Sequence, residues 1–203
     1  MREEQTRHRL PETGPLIDPI RLASLDQLEL LDTGPEEAFD RITRLASRCL
    51  GVPISLLSLL DHDRQFFKSA VGAPEGLTQI PLTGSLCRYA IEAGEPLIVE
   101  DARVHPVVRG ISSIDDFGVL AYAGAPLVTH DGLAVGTLCA IDAAPRKWTD
   151  HEIGILVDLA TVAVSEITLR ELRTRDARAR ADLERSVARG SARLRAVSDA
   201  LDE

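Results

Sequence analysis

Three cysteines carry most of the chemical potential of this chain, and their sequence surroundings differ. Cys87 falls in the first turn of a short helix predicted to start at a Thr83 or Ser85 cap and run to Gly94. Unpaired N–H groups and the helix dipole lower a thiol's pKa there, and Arg88 stands next to it. Such a sulfur is partly ionised, which makes Cys87 a redox candidate; the pattern fits equally the ordinary fate of a free cysteine, a small buried hydrophobe. Cys139 lies mid-strand with no cation near it and reads as packing, and Cys49 reads as core on its helix. With an odd count, no CxxC pair and no histidine at zinc spacing, neither a disulfide framework nor a metal site is expected.

The remaining candidates could wall a small-molecule pocket. They are Phe67 and Lys68 on a predicted strand, Cys87, Arg88 and Tyr89 on the short helix, and Phe117 and Tyr122 around a later hairpin. These residues mix apolar bodies with a few donors, as ligand pockets do. Arg88 or Lys68 could pair with an anionic ligand or be a solvated surface charge. Of the histidines His62, His105, His130 and His151, all in turns, loops or a helix's first turn, only His105 beside Pro106 is placed to ligate a haem or metal. Asp101 is expected to cap a turn through its side-chain oxygen. Aromatic residues are 3% of the chain, so a large planar cofactor would find few stacking partners.

Positioning these groups requires one globular domain, which 203 residues supply with an element left over. The net charge is −9, with the acids concentrated before residue 170, while residues 170–203 hold nine arginines against seven acids. A body this acidic repels phosphate backbones, and no basic stripe interleaved with aromatics is present, which argues against nucleic-acid binding. No stretch approaches the ~20 apolar residues of a membrane span, and the first residues lack a signal-peptide core. A cytoplasmic protein with reduced thiols is expected.

Residues 1–17 read as a mobile arm. Asp18-Pro19 opens a first helix of about three turns with Ile20, Ala23, Leu28 and Leu31 on its apolar face. Thr33 or Gly34, then Pro35, starts a second whose apolar positions are Phe39, Ile42, Leu45, Ala46, Cys49 and Leu50, stopped by Gly51 and Pro53. Ile54 to Leu60 and Arg64 to Val71 form a hairpin, with Gln65, Phe67 and Ser69 on one face of the second strand and Phe66 and Lys68 on the other. Residues 72–82 read as loop, Pro96 to Glu100 as a short strand, and Asp101 to Phe117 as a broken helix with loop. A second hairpin, residues 118–141, turns at His130-Asp131-Gly132, and its small residues Gly124 and Gly136 let strands approach.

Thr149-Asp150-His151-Glu152 is a capping box that opens a long helix at Asp150. No stop signal follows, and a helix reaching Leu201 is roughly 75 Å long at ~1.5 Å per residue, so its end is expected to leave the globule. Leu172, Asp176, Ala179, Leu183, Val187, Gly190, Leu194, Val197 and Leu201 step by three and four residues, a heptad seam with one stutter at Leu183–Val187. Such a seam implies a parallel homodimer; the competing reading is a solvated, arginine-rich tail.

The order of elements and the wording of the chain resemble the GAF domain family. The run from Leu25 to Gly72, the SLCRYAI helix from Ser85, LIVEDARVHP from Leu97, YAGAPL from Tyr122 and GTLCAID from Gly136 look like successive signatures of the bacterial sensory subgroup, from about Leu25 to Glu166. The resemblance implies an α+β fold: a six-stranded antiparallel sheet, the first and last helices on one face, a ligand pocket on the other, and a C-terminal coiled-coil helix. It divides the chain into an arm over 1–17, a sensory domain over 18–169 and a signalling helix over 170–203. It implies a dimeric, non-catalytic module that relays a small molecule or redox event to an output domain such as a kinase, diguanylate cyclase or phosphatase beyond Glu203. The ligand is left unknown. Bilin-binding members place a histidine directly after the chromophore cysteine, and here Arg88 follows Cys87, so no bilin is expected, nor is a haem. Two alternatives stay open: a free methionine sulfoxide reductase using Cys87, and a ligand-free dimerisation spacer.

Overall fold

A computed structural model describes residues 13–201, with side chains through residue 189. In chain order, helix α1 is Pro19–Gln27 and α2 Glu37–Leu50, followed by strands β1 (Ile54–Leu60), β2 (Arg64–Val71) and β3 (Gln79–Pro81). Then come α3 (Cys87–Ala93), β4 (Leu97–Val99), α4 (Ser112–Phe117), β5 (Ala121–Val128), β6 (Ala134–Asp142) and α5 (Asp150–Leu201). The strands form one sheet in the order β3-β2-β1-β6-β5-β4, and every pairing is antiparallel.

The two faces of the sheet differ in residue size. Ala123, Ala125 and Ala140 point one way and admit helix backbones; α5 shares a groove with β5 there, lined by Ala125, Val157, Ala160 and Val164. The opposite face carries larger side chains, Leu56, Phe67, Tyr122, Cys139 and Ile141, covered by α3 and α4. Between β6 and β1 the backbones approach so closely that a Cβ on Gly136 would lie 2.1 Å from the Ser58 carbonyl oxygen, which is why no side chain is tolerated there.

Several local expectations give way to tertiary packing. Helix α1 is only nine residues long, and it buries Arg21 and Leu25 while Ile20 is 69% exposed and Ala23 is also exposed. The Arg21 guanidinium donates to the carbonyls of Pro15, Leu16 and Leu60, so a polar clasp fixes this helix in place of an apolar stripe. Burial lowers the Arg21 pKa, opposed by Asp61 and Asp18. Helix α2 starts after Glu36, with no side-chain cap; Thr33 instead donates to the Leu30 carbonyl at 2.6 Å. Its buried face is Phe39, Ile42, Thr43, Ala46 and Leu50, which leaves Leu45 and Cys49 exposed.

In β2 the register shifts by one residue: Leu57 of β1 pairs with Ser69, and Ser58 pairs with Phe67, leaving Lys68 as a bulge. A bulge inverts the alternation beyond it, so Ser69 turns from the Gln65–Phe67 face to α2, where its hydroxyl meets Thr43 Oγ1 at 2.8 Å and Asp40 at 2.6 Å. The segment read as loop contains the edge strand β3, paired to Arg64–Phe66. Ser85 does not cap α3, because its hydroxyl donates to Gln65 Oε1 at 2.5 Å.

The capping box at α5 forms as read: Thr149 N–H donates to Glu152 Oε2 at 2.8 Å and Glu152 N–H to Thr149 Oγ1 at 3.2 Å. The chain divides into two compact units between Glu166 and Ile167. In the second unit the helix runs unbroken through Gly190, with Leu172, Ala179, Leu183 and Val187 exposed and the flanking pairs Glu171–Arg175 and Asp176–Arg180 along it. The side chains of Leu194, Val197 and Leu201 lie outside the described residues. Among the described residues no helix is long and apolar enough to cross a membrane.

Candidate functional site

A cavity of about 60 Å³ opens on the face of the sheet away from α2. Strand alternation supplies its floor: Ile54 and Leu56 from β1, Gln65 and Phe67 from β2, Tyr122 from β5, and Cys139 and Ile141 from β6. Leu77 and Ile80 close one side, Leu86 and Cys87 come in from the start of α3, and Ser113, Phe117 and Val119 form the rim. The lining is apolar and contains no charged side chain.

The polar groups gather at the base. Tyr122 lies along β5 across Gly124, so closely that a Cβ on Gly124 would stand 2.0 Å from the phenol oxygen. That pose carries the hydroxyl to Cys87, to which it donates at 3.3 Å. Gly124 pairs with Cys139 in the β5–β6 register, which brings the second thiol to the same place. Thr137 stands two residues before Cys139 on the same face, opposite Ser58; its buried hydroxyl makes no full hydrogen bond among the described residues. Ser58 accepts from Gln65 Nε2 at 2.8 Å, and Gln65 accepts from Ser85, so β1, β2 and the approach to α3 are tied into one neutral network.

This environment sets the ionisation of the two sulfurs apart. Burial pushes the Cys87 thiol up, but its polar contacts with Cys139, Thr137, Tyr122 and Ser85 outweigh it and bring its pKa down to about 7. Cys139, which donates to Cys87 and is itself buried, is raised well above the ordinary thiol value. Tyr122 is raised too, by burial first and then by the two thiols. Helix α3 has only seven residues, so side-chain donors, and not a helix dipole, dominate at Cys87.

Of the sequence candidates, the structure brings Phe67, Cys87, Phe117 and Tyr122 to the cavity. It does not bring Lys68, Arg88 or Tyr89. Lys68 follows Phe67 by plain alternation onto the helix face, where its fully buried ammonium donates to Thr33 Oγ1 and the Gly34 carbonyl, each at 2.7 Å, and pairs with Glu36 at 2.7 Å. Arg88 is buried away from the lining, stacked over the Tyr89 ring at 4.5 Å and donating to its hydroxyl at 2.5 Å. Neither cation is solvated, and neither reaches a ligand in the cavity. His105 also lies off the lining; its Nδ1 accepts from Val107 N–H at 3.4 Å, and burial lowers its pKa. Asp101 does cap its turn, accepting from Arg103 N–H at 3.1 Å.

Gln65, Cys139 and Ile141 were missed as lining, although the period of two from Phe67 reaches Gln65. Cys139 was set aside for lack of a nearby cation, whereas its significance comes from Cys87, 52 positions earlier in the chain.

Comparison with known proteins places this geometry. Residues 34–167 match the family described as GAF domain. The chain is 37% identical over 153 residues to a cyclic di-GMP phosphodiesterase of Pseudomonas aeruginosa, covering 74% of this chain and 26% of that protein. It therefore spans about a quarter of the length of the curated relative it matches. Among solved structures, the GAF domain of a phosphoenolpyruvate-protein phosphotransferase from Coxiella burnetii aligns with a TM-score of 0.59 at 18% identity, covering 79% of this chain and 97% of that one. Free methionine-R-sulfoxide reductase from Neisseria meningitidis aligns with a TM-score of 0.53 at 19% identity, covering 83% and 97%. At such identities the likeness is one of fold.

Proposed function

The chain belongs to the GAF domain family, and from that premise we propose that it is the sensory module of a signalling protein. Its ligand is a small, neutral, largely apolar molecule held between the sheet and α3. The cavity carries this reading: its lining has no charged group to hold an anion, and Lys68, next to the lining residue Phe67, is engaged by Glu36 on the other face.

The signal passes to α5. A ligand shifts a two-state equilibrium only by its differential affinity for the two states. We assign those states to two arrangements of α5 in a homodimer paired through Leu172, Leu183 and Val187, which a single chain leaves 55%, 65% and 59% exposed. The domain division proposed is a sensor that begins by Pro15–Ile17, since Leu16 is buried in the core rather than part of the arm expected over 1–17, and runs to residue 169, with the relay over 170–203. The relay acts on an output activity, and the resemblance to a cyclic di-GMP phosphodiesterase favours turnover of that nucleotide as the regulated reaction.

The lining also bears on the alternatives. Free methionine sulfoxide is a zwitterion and would bury two charges against no partner, which disfavours the reductase reading. A spacer needs no cavity at all, and this one is not filled by its own side chains.

Native mass spectrometry of the purified chain, followed by thermal denaturation with short-chain neutral alcohols and with cyclic nucleotides, tests the proposal. A dimer stabilised by the alcohols and indifferent to the nucleotides is expected. A monomer at micromolar concentration, or stabilisation by the nucleotides alone, would overturn it.

A further inference from the structure

We propose that Cys87 and Cys139 are a reactive dithiol at the base of the cavity, closed to an intramolecular disulfide by hydrogen peroxide or a comparably small neutral peroxide. This deepens the sensory reading by naming the chemical event that the site registers. The two thiols come from α3 and β6, and both line the cavity. Tyr122 donates to Cys87, in a pose that the missing side chain of Gly124 makes possible. The Thr137 hydroxyl, fully buried on the same face and without a full hydrogen bond, is a spare donor beside the thiols, able to serve a thiolate or a peroxide oxygen.

The cavity suits this reactant. About 60 Å³ admits a molecule of two heavy atoms, and the uncharged lining favours a neutral one. Cys49, exposed on α2, has no part in the lining.

The two sulfurs divide the labour. Cys87, held toward the thiolate by its donors, attacks one peroxide oxygen; the O–O bond breaks, Cys87 becomes a sulfenic acid, and the hydroxide released takes a proton to leave as water. Cys139, kept as a thiol, then attacks the sulfenic sulfur, and its proton departs with the displaced hydroxide as a second water. Two thiols lose two electrons and two protons, and one peroxide is reduced to two waters.

The test uses the full chain carrying Cys49→Ser. Treated with stoichiometric hydrogen peroxide, it is expected to lose two hydrogens in intact mass and to yield a proteolytic peptide pair joined through Cys87 and Cys139. With Cys139→Ser added, the reaction stops at a sulfenic acid trapped on Cys87 by dimedone; Cys139→Ala serves if the serine variant fails to fold. With Cys87→Ser, Cys139 stays reduced. Tyr122→Phe slows the reaction about fivefold near neutral pH, as loss of one hydrogen bond predicts, and moves its pH midpoint upward from about 7. Two free thiols after treatment and denaturation, or disulfides only between chains, would overturn the inference, as would a midpoint unmoved in Tyr122→Phe. Disulfide closure is read by mass whether or not the chain dimerises or binds an alcohol, so failure here and failure of the sensory reading are separate results.

Discussion

Among the described residues, the buried charges and the polar groups at the base of the cavity differ in kind. The charges all sit outside the cavity, and two of them are held by several partners: Arg21 on the carbonyls of Leu16 and Leu60, Lys68 on Glu36, Thr33 and Gly34. The base of the cavity holds only neutral groups, two thiols, a phenol and hydroxyls, and one hydroxyl there lacks a full partner. A buried charge must be paired or it destabilises the fold by several kcal/mol, so a satisfied cation is spent on structure. Neutral groups cost less to leave partly unsatisfied, and a site that has to receive a guest can keep them in reserve. Burial and charge together therefore point to scaffold here.

Four substitutions probe that contrast, from the largest effect to the smallest. Arg21→Met leaves the Leu16 and Leu60 carbonyls buried without their donor and should lower stability by about 3 kcal/mol, measured by urea denaturation. Lys68→Met should cost about 1–2 kcal/mol, since Glu36 is partly exposed and can return to water. It should leave ligand and peroxide responses unchanged; a change in either would place Lys68 in the site after all.

The capping box is an exposed reference between the two classes. Thr149→Ala should cost about 1 kcal/mol. Glu152 is held down to about 2 by the Thr149 N–H and by Arg146, so its contribution is present above its ordinary value of 4.5 and fades as pH falls toward 2. In acid denaturation the Thr149→Ala deficit should therefore shrink at low pH without vanishing, because the bond from Glu152 N–H to Thr149 Oγ1 needs no charge. Thr137→Val replaces a buried hydroxyl, whose contact with the Cys87 sulfur falls short of a full hydrogen bond, by a methyl and should change stability by less than about 0.5 kcal/mol. It should nevertheless raise the pH midpoint of Cys87 alkylation, because one donor to the sulfur is gone. A loss of stability as large as that of Lys68→Met would show that Thr137 belongs to the scaffold.

Much of the architecture was legible in local pattern. β1 and β2 came out with the ends that Pro53 and the Asp61-His62-Asp63 turn announce, and Thr149 with Glu152 caps α5 where the motif says. The six-stranded sheet followed from the order of motifs, although β3 is three residues of a Gly- and Pro-rich stretch and has no period of its own. The site was half legible. Phe67, Cys87, Phe117 and Tyr122 reach the cavity because strand alternation and chain order carry them there. Lys68 and Arg88 do not: alternation from Phe67 puts one on the helix face, and stacking on Tyr89 retains the other.

The amino-acid sequence alone determined the elements, because period, caps and glycine turns act over a few residues and need no partner. It determined the family as well, through motifs that keep their order along the chain. Only the tertiary structure decided which face Ser69 occupies, since a one-residue slip in pairing is invisible until the neighbouring strand is present. It alone joined Cys87 to Cys139, because the contact depends on β5 lying beside β6 with Tyr122 folded over Gly124, and no local rule carries information across that distance.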